Sequence, residues 1–145
     1  MLRRLARSDA GAAAVEFAAV VGPLILLIIG VFEYGRLLWT REALQETAMA
    51  GARCMGMTYS SCATGGAYSA TDTDTFIEGQ ATNWGVTLAA SNISLSSSGT
   101  CAGVTSANAF ATVTITYTFQ SVLPPAMLGF SGAPSLSSTA CFPNN

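Results

Sequence analysis

Gly11-Ala12-Ala13-Ala14-Val15-Glu16-Phe17-Ala18-Ala19-Val20-Val21-Gly22-Pro23-Leu24-Ile25-Leu26-Leu27-Ile28-Ile29-Gly30-Val31-Phe32 is the stretch whose reading decides how this chain is organised. As a helix, residues 11–32 would be about 33 Å long at ~1.5 Å per residue, a match for the hydrocarbon core of a bilayer. Glu16 is the only charged residue within it. A carboxylate inside a membrane-length apolar segment costs several kcal/mol to insert, so it calls for a reason. Arg3, Arg4 and Arg7 precede the segment and no basic residue interrupts it. That asymmetry predicts a cytoplasmic N-terminus and an exported remainder beyond about Glu33.

The order of these features is informative. A secretory signal places its small-residue cut after the apolar core. Here the candidate cut, Gly11 followed by Ala12, lies before the core, so cleavage would leave the apolar helix on the mature protein. It would also expose an ammonium on Ala12, one helical turn from Glu16. The carboxylate could then pair with the ammonium of a neighbouring chain in a low-dielectric setting, where pairing matters most. This is the pattern of a prepilin-type precursor. The plainer reading is a signal-anchor helix that is never cut, with Glu16 reaching back to the cytoplasmic face.

Working outward, Glu33-Tyr34-Gly35-Arg36 marks the far membrane boundary, with Tyr34 and Trp39 suited to the headgroup zone. Leu37, Leu44, Ala48, Gly51, Ala52 and Met55 then recur at helical spacing, while Arg36, Arg41, Glu42, Glu46 and Arg53 fall on other faces. The spacing predicts one helix from about Ala12 to Met55, loosened or kinked at Gly22-Pro23. Residues 56–71 read as loop, and Asp72-Thr73-Asp74-Thr75 as a helix start with Thr75 and Glu78 as a capping box. Ile77, Ala81 and Trp84 share a face of that helix, and Gly85 can end it.

Further on, the period changes to two. Ala109, Ala111, Val113, Ile115, Tyr117 and Phe119 alternate with Phe110 and four threonines, the clearest strand in the chain. Ile93 and Leu95 predict an earlier strand and residues 136–142 a later one, with turns at 96–100 and 124–134. The fold class expected is α+β: a long N-terminal helix, a short second helix and an antiparallel sheet of about three strands packed on helix. Three segments follow: a leader over 1–11, the membrane and extended helix over 12–55, and a small exported domain over 56–145.

Composition narrows the chemistry. The chain has no Lys and no His, and from Cys54 onward its only charged side chains are Asp72, Asp74 and Glu78. A surface without cations cannot neutralise phosphates, which argues against nucleic-acid partners. No His or Lys is present to activate a nucleophile, so no catalytic residues, cofactor or metal ligands are assigned. The acids lack the spacing of an EF-hand loop. Asn92-Ile93-Ser94 fits a glycosylation sequon, a short pattern with many chance matches.

Cys54, Cys62, Cys101 and Cys141 all fall in the exported part, where an even count favours two disulfides. Three pairings are possible. The expected strand order brings the start of the central strand near the end of the last one, which favours 101–141 and leaves 54–62 to close the loop after the long helix.

The residues 11–17, Pro23, Gly30, Glu33-Tyr34-Gly35-Arg36, Leu44-Gln45, Ala48 and Ala52-Arg53 together resemble the TadE-like minor pilins of the tight-adherence (Flp, type IVc) pilus. The likeness covers about the first 55 residues and extends to the sister TadF-like and shortened TadG-like pilins. It implies cleavage between Gly11 and Ala12 by a membrane prepilin peptidase, with Glu16 and Phe17 serving recognition and assembly. It further implies a place in the bacterial inner membrane, a periplasmic C-terminal domain and, after processing, the pilus. The implied partners are the major pilin, other minor pilins, the peptidase and the assembly platform. A rival of another class is an uncut, single-pass tethered binding or scaffold protein.

Overall fold

The computed structural model describes residues 9–101, 104, 109–129 and 131–144. The leader arginines Arg3, Arg4 and Arg7 lie outside the described residues. The fold is α+β. Its elements run α1 (Asp9–Gly56), β1 (Ala63–Thr64), β2 (Ala67–Tyr68), α2 (Ala70–Asn83), β3 (Ile93–Gly99), β4 (Phe110–Thr118) and β5 (Ser135–Pro143). The chain divides into two compact units, Met1–Arg36 and Leu37–Asn145.

The described part of the first unit is α1 alone. Residues 11–32 contain no buried member, and Phe17, Leu27 and Phe32 are among its exposed apolar side chains. A helix apolar on all sides cannot stay bare in water, and this one is long and apolar enough to cross a membrane. Pro23 sits within continuous helix; lacking an N–H, it leaves the Ala19 carbonyl without its usual intrahelical donor. Glu33 is buried, and Arg36 Nη1 donates to its Oε1 at 2.6 Å, one turn away. A buried carboxylate needs such a partner.

The second unit builds its core where the end of α1 meets α2 and the sheet. Ala43, Leu44, Ala48, Ala52 and Met55 of α1 join Ile77 and Ala81 of α2, Ala111, Val113 and Ile115 of β4, and Ala140 of β5. Each fully buried branched aliphatic side chain contributes about 1.5–3 kcal/mol. Gly51 is a point of close approach between α1 and its neighbours: a Cβ there would lie 2.7 Å from Ile77 Cδ1 and 3.5 Å from Val113 Cγ2. Glycine lets the helix come this close.

The three-stranded sheet has order β3-β4-β5, antiparallel throughout. Val113 pairs with Leu95 on one side and Ala140 on the other, so strict alternation in β4 turns its apolar residues inward. The threonine face is stitched by a 3.0 Å hydrogen bond between the Thr114 and Thr139 hydroxyls. β3 runs through Ser96–Gly99, where the sequence indicates a turn. Its serines carry no apolar alternation, but the backbone pairs past an irregularity between Ser96 and Gly99.

Two further corrections fall between the helices. Residues 56–71 are not all loop: β1 and β2 form a two-residue hairpin turning at Gly65-Gly66. α2 begins earlier than Thr75, because Ser69 is its N-cap, its Oγ accepting from the Asp72 N–H. Thr75 lies inside the helix, its hydroxyl donating to the Thr71 carbonyl at 3.0 Å. Gly85, with φ of 78°, ends α2 in the left-handed conformation that glycine adopts without steric cost.

Disulfides join Cys54 to Cys62 and Cys101 to Cys141, across separations of 8 and 40 residues. By loop-closure entropy the longer bridge contributes about 4 kcal/mol and the shorter about 2.5 kcal/mol. In a unit this small such staples are a large share of net stability.

Candidate functional site

Gly11, Ala12, Glu16 and Phe17 all lie on the exposed beginning of α1, and none is buried. Ala12 and Glu16 are four residues apart, so their side chains stand on one helical face about 6 Å apart along the axis. Phe17 is 69% exposed. The site is therefore a helical strip whose apolar members and single carboxylate have no partner surface within the first unit. What it can do chemically is limited: offer a scissile peptide bond, and offer a carboxylate to a cation carried by another molecule.

Residues 11–53 match the family model described as TadE-like protein. Over this segment, under a third of the chain, it is similar to TadE-like proteins. The match begins at Gly11 and ends three residues before α1 does, so it is a match to that helix. It supports a protein associated with the Tad pilus system. The sheet, α2 and the Cys101–Cys141 bridge fall beyond the TadE-like segment. No curated protein and no solved structure matches the chain.

The other candidates settle into structural roles. Asp72 accepts from the Thr64 hydroxyl at 2.5 Å, and this bond together with Ser69 holds its carboxyl below the usual carboxylate range. Asp74 is shifted the other way, first by burial and then by the negative charge of Glu78. Its Oδ1 is buried with no hydrogen-bond partner. Burial, and after it Asp74, pushes the Tyr68 hydroxyl up as well. Among the described residues no group of three or more His, Cys, Asp or Glu is arranged to hold a metal ion. The sequon asparagine is occupied: Asn92 Oδ1 accepts from the Ala89 N–H, and Nδ2 donates to the Thr116 carbonyl, both at 3.0 Å.

Two residues gain a meaning that the linear sequence did not give them. Ser69 carries no periodic signal and is visible as a cap only once α2 is placed. Trp84 meets Trp39 edge to face, ring centroids 5.7 Å apart, and its carbonyl accepts from Trp39 Nε1 at 3.3 Å. Forty-five residues separate the two, so only the fold brings them together.

Proposed function

We propose that this chain is a minor pilin of a tight-adherence pilus. It is made as a precursor in the inner membrane, cut after Gly11 by a prepilin peptidase at the cytoplasmic face, and helps initiate, cap or assemble the pilus through α1. Its partners on this reading are the major pilin, other minor pilins, the peptidase and the assembly platform. The observation that carries the reading is the TadE-like match from Gly11 to Arg53 on a helix in which none of residues 11–32 is buried. Such a helix must be covered by lipid first and by other helices once assembled. Cleavage frees an ammonium on Ala12, and Glu16 receives the ammonium of a neighbouring subunit. The pair forms where the dielectric is low and a lone charge is costly.

Glu16→Gln tests the assembly step. The substitution keeps size and hydrogen-bonding capacity and removes the charge. Cleavage should proceed while incorporation into pili, measured by crosslinking to other pilins and by counting pili, falls steeply. Unchanged crosslinking and pilus number would contradict the role given to Glu16.

A further inference from the structure

The chain has two tryptophans, and the fold puts them together on the surface of the second unit. Trp39 is 59% exposed and Trp84 40% exposed although their rings touch. Neither is needed to close the core around Leu44, Ile77 and Val113. An exposed indole pair is an amphipathic plate, of the kind enriched at the headgroup level of bilayers.

We propose that Trp84, seated on Trp39, docks the second unit onto the phospholipid headgroup layer of the membrane that holds α1. The inference rests on reading α1 as the membrane-spanning element. The tether favours it: seven residues separate Phe32, the end of the apolar run, from Trp39, about 10 Å as helix. Side chains on a helix lean toward its N-terminus, here toward the membrane, so the Trp39 ring is brought back to the headgroups.

Charge points to the same occupant. The acids of the second unit beyond α1, Asp72, Asp74 and Glu78, lie in the first and middle turns of α2, whereas Trp84 closes its last turn. No charged residue occurs from Gly79 to the end of the chain, so the Trp84 end can approach an anionic lipid surface that would repel the other end. Two of the last carbonyls of α2, those of Ala81 and Thr82, are also covered. The N–H groups of Trp84 and Val86 bond to the Ala81 carbonyl, and that of Gly85 to the Thr82 carbonyl. These bonds lower the number of carbonyls that this end would bring unpaired to the lipid.

The test uses the full chain in phosphatidylcholine vesicles, with nitroxide carried either on the choline headgroup or deep in the acyl chain. Trp39→Phe leaves Trp84 as the only indole, and Trp84→Phe leaves Trp39. Trp84 emission should be roughly halved by the headgroup label, respond less to the deep label, and be shielded from aqueous acrylamide. Wild-type protein is measured beside the variants. The wild-type response should match the sum of the two single-indole responses. Trp39 responding to labelled lipid while Trp84 does not overturns the docking and leaves α1 in the membrane. No response from either indole overturns the membrane reading as well. Trp84 shielded from acrylamide without any lipid response means that another protein copy covers it, and that result also overturns the proposal.

Discussion

Gly51→Ala would add one methyl group where α1 lies close against Ile77 in the second unit. In an exposed helix the change gains about 1 kcal/mol through helix propensity. At Gly51 the new Cβ would lie 2.7 Å from Ile77 Cδ1 and 2.8 Å from Ile77 Cγ1. Ile77 is fully buried and branched at Cβ, so it has little room to turn away. Overpacking of this kind costs about 1–3 kcal/mol. With both effects, we expect a net loss of about 1 kcal/mol, which for a domain of this size lowers the melting temperature by roughly 4–8 °C. The assay is thermal unfolding of the full chain in detergent micelles with disulfides intact, followed by tryptophan emission. Gly79→Ala is the internal control, because Gly79 lies in α2 with open space around its Cβ position and should raise the melting temperature. Ile77→Val removes the closest methyl and should make the Gly51→Ala change less costly. If Gly51→Ala stabilises the protein as Gly79→Ala does, the packing of α1 on Ile77 is refuted.

Other outcomes follow from groups left unpaired. Thr47 is 1% exposed and its hydroxyl has no hydrogen-bond partner. Thr47→Val, which keeps the branched shape, should therefore raise stability by about 1 kcal/mol in the same melts; a loss would show that the hydroxyl is satisfied. Asp74 has its folded pKa raised, by burial and then by Glu78, so its favourable contribution is complete below the unfolded carboxylate value and is lost as pH rises through the folded one. Asp74→Asn should accordingly stabilise the protein at neutral pH, with the gain shrinking to nothing in acid. A gain independent of pH would point to packing instead of charge.

How far the fold can be read from sequence depends on the range of the signal. The alternation from Ala111 to Phe119 marks β4 because each second residue must enter the core. Likewise Leu44, Ala48, Ala52 and Met55 mark the buried side of α1. β1 and β2, two residues each, are too short to show any period. The serine tail of β3 pairs through its backbone, which composition does not report. Ser69 competes with many other Ser and Thr residues in its neighbourhood and is singled out as a cap only by the start of α2. Trp84 is read from sequence as sharing a face with Ile77 and Ala81, yet it stays partly exposed against Trp39 while those two are buried. The candidate site differs in kind. Gly11, Ala12, Glu16 and Phe17 are legible as a motif, and the fold adds only that they lie exposed on one helix. Their proposed partners are other molecules, whose contacts a single chain does not contain.

Processing between Gly11 and Ala12 is visible in the N-terminus of membrane-extracted protein. Intact mass is compared between cells with and without the prepilin peptidase, alongside Gly11→Val, which places a branched side chain at the scissile position. With the peptidase, the protein should begin at Ala12, while the Gly11→Val protein keeps residues 1–11. A chain that retains Gly11 in the presence of the peptidase, or one cut after Phe32, would contradict this processing.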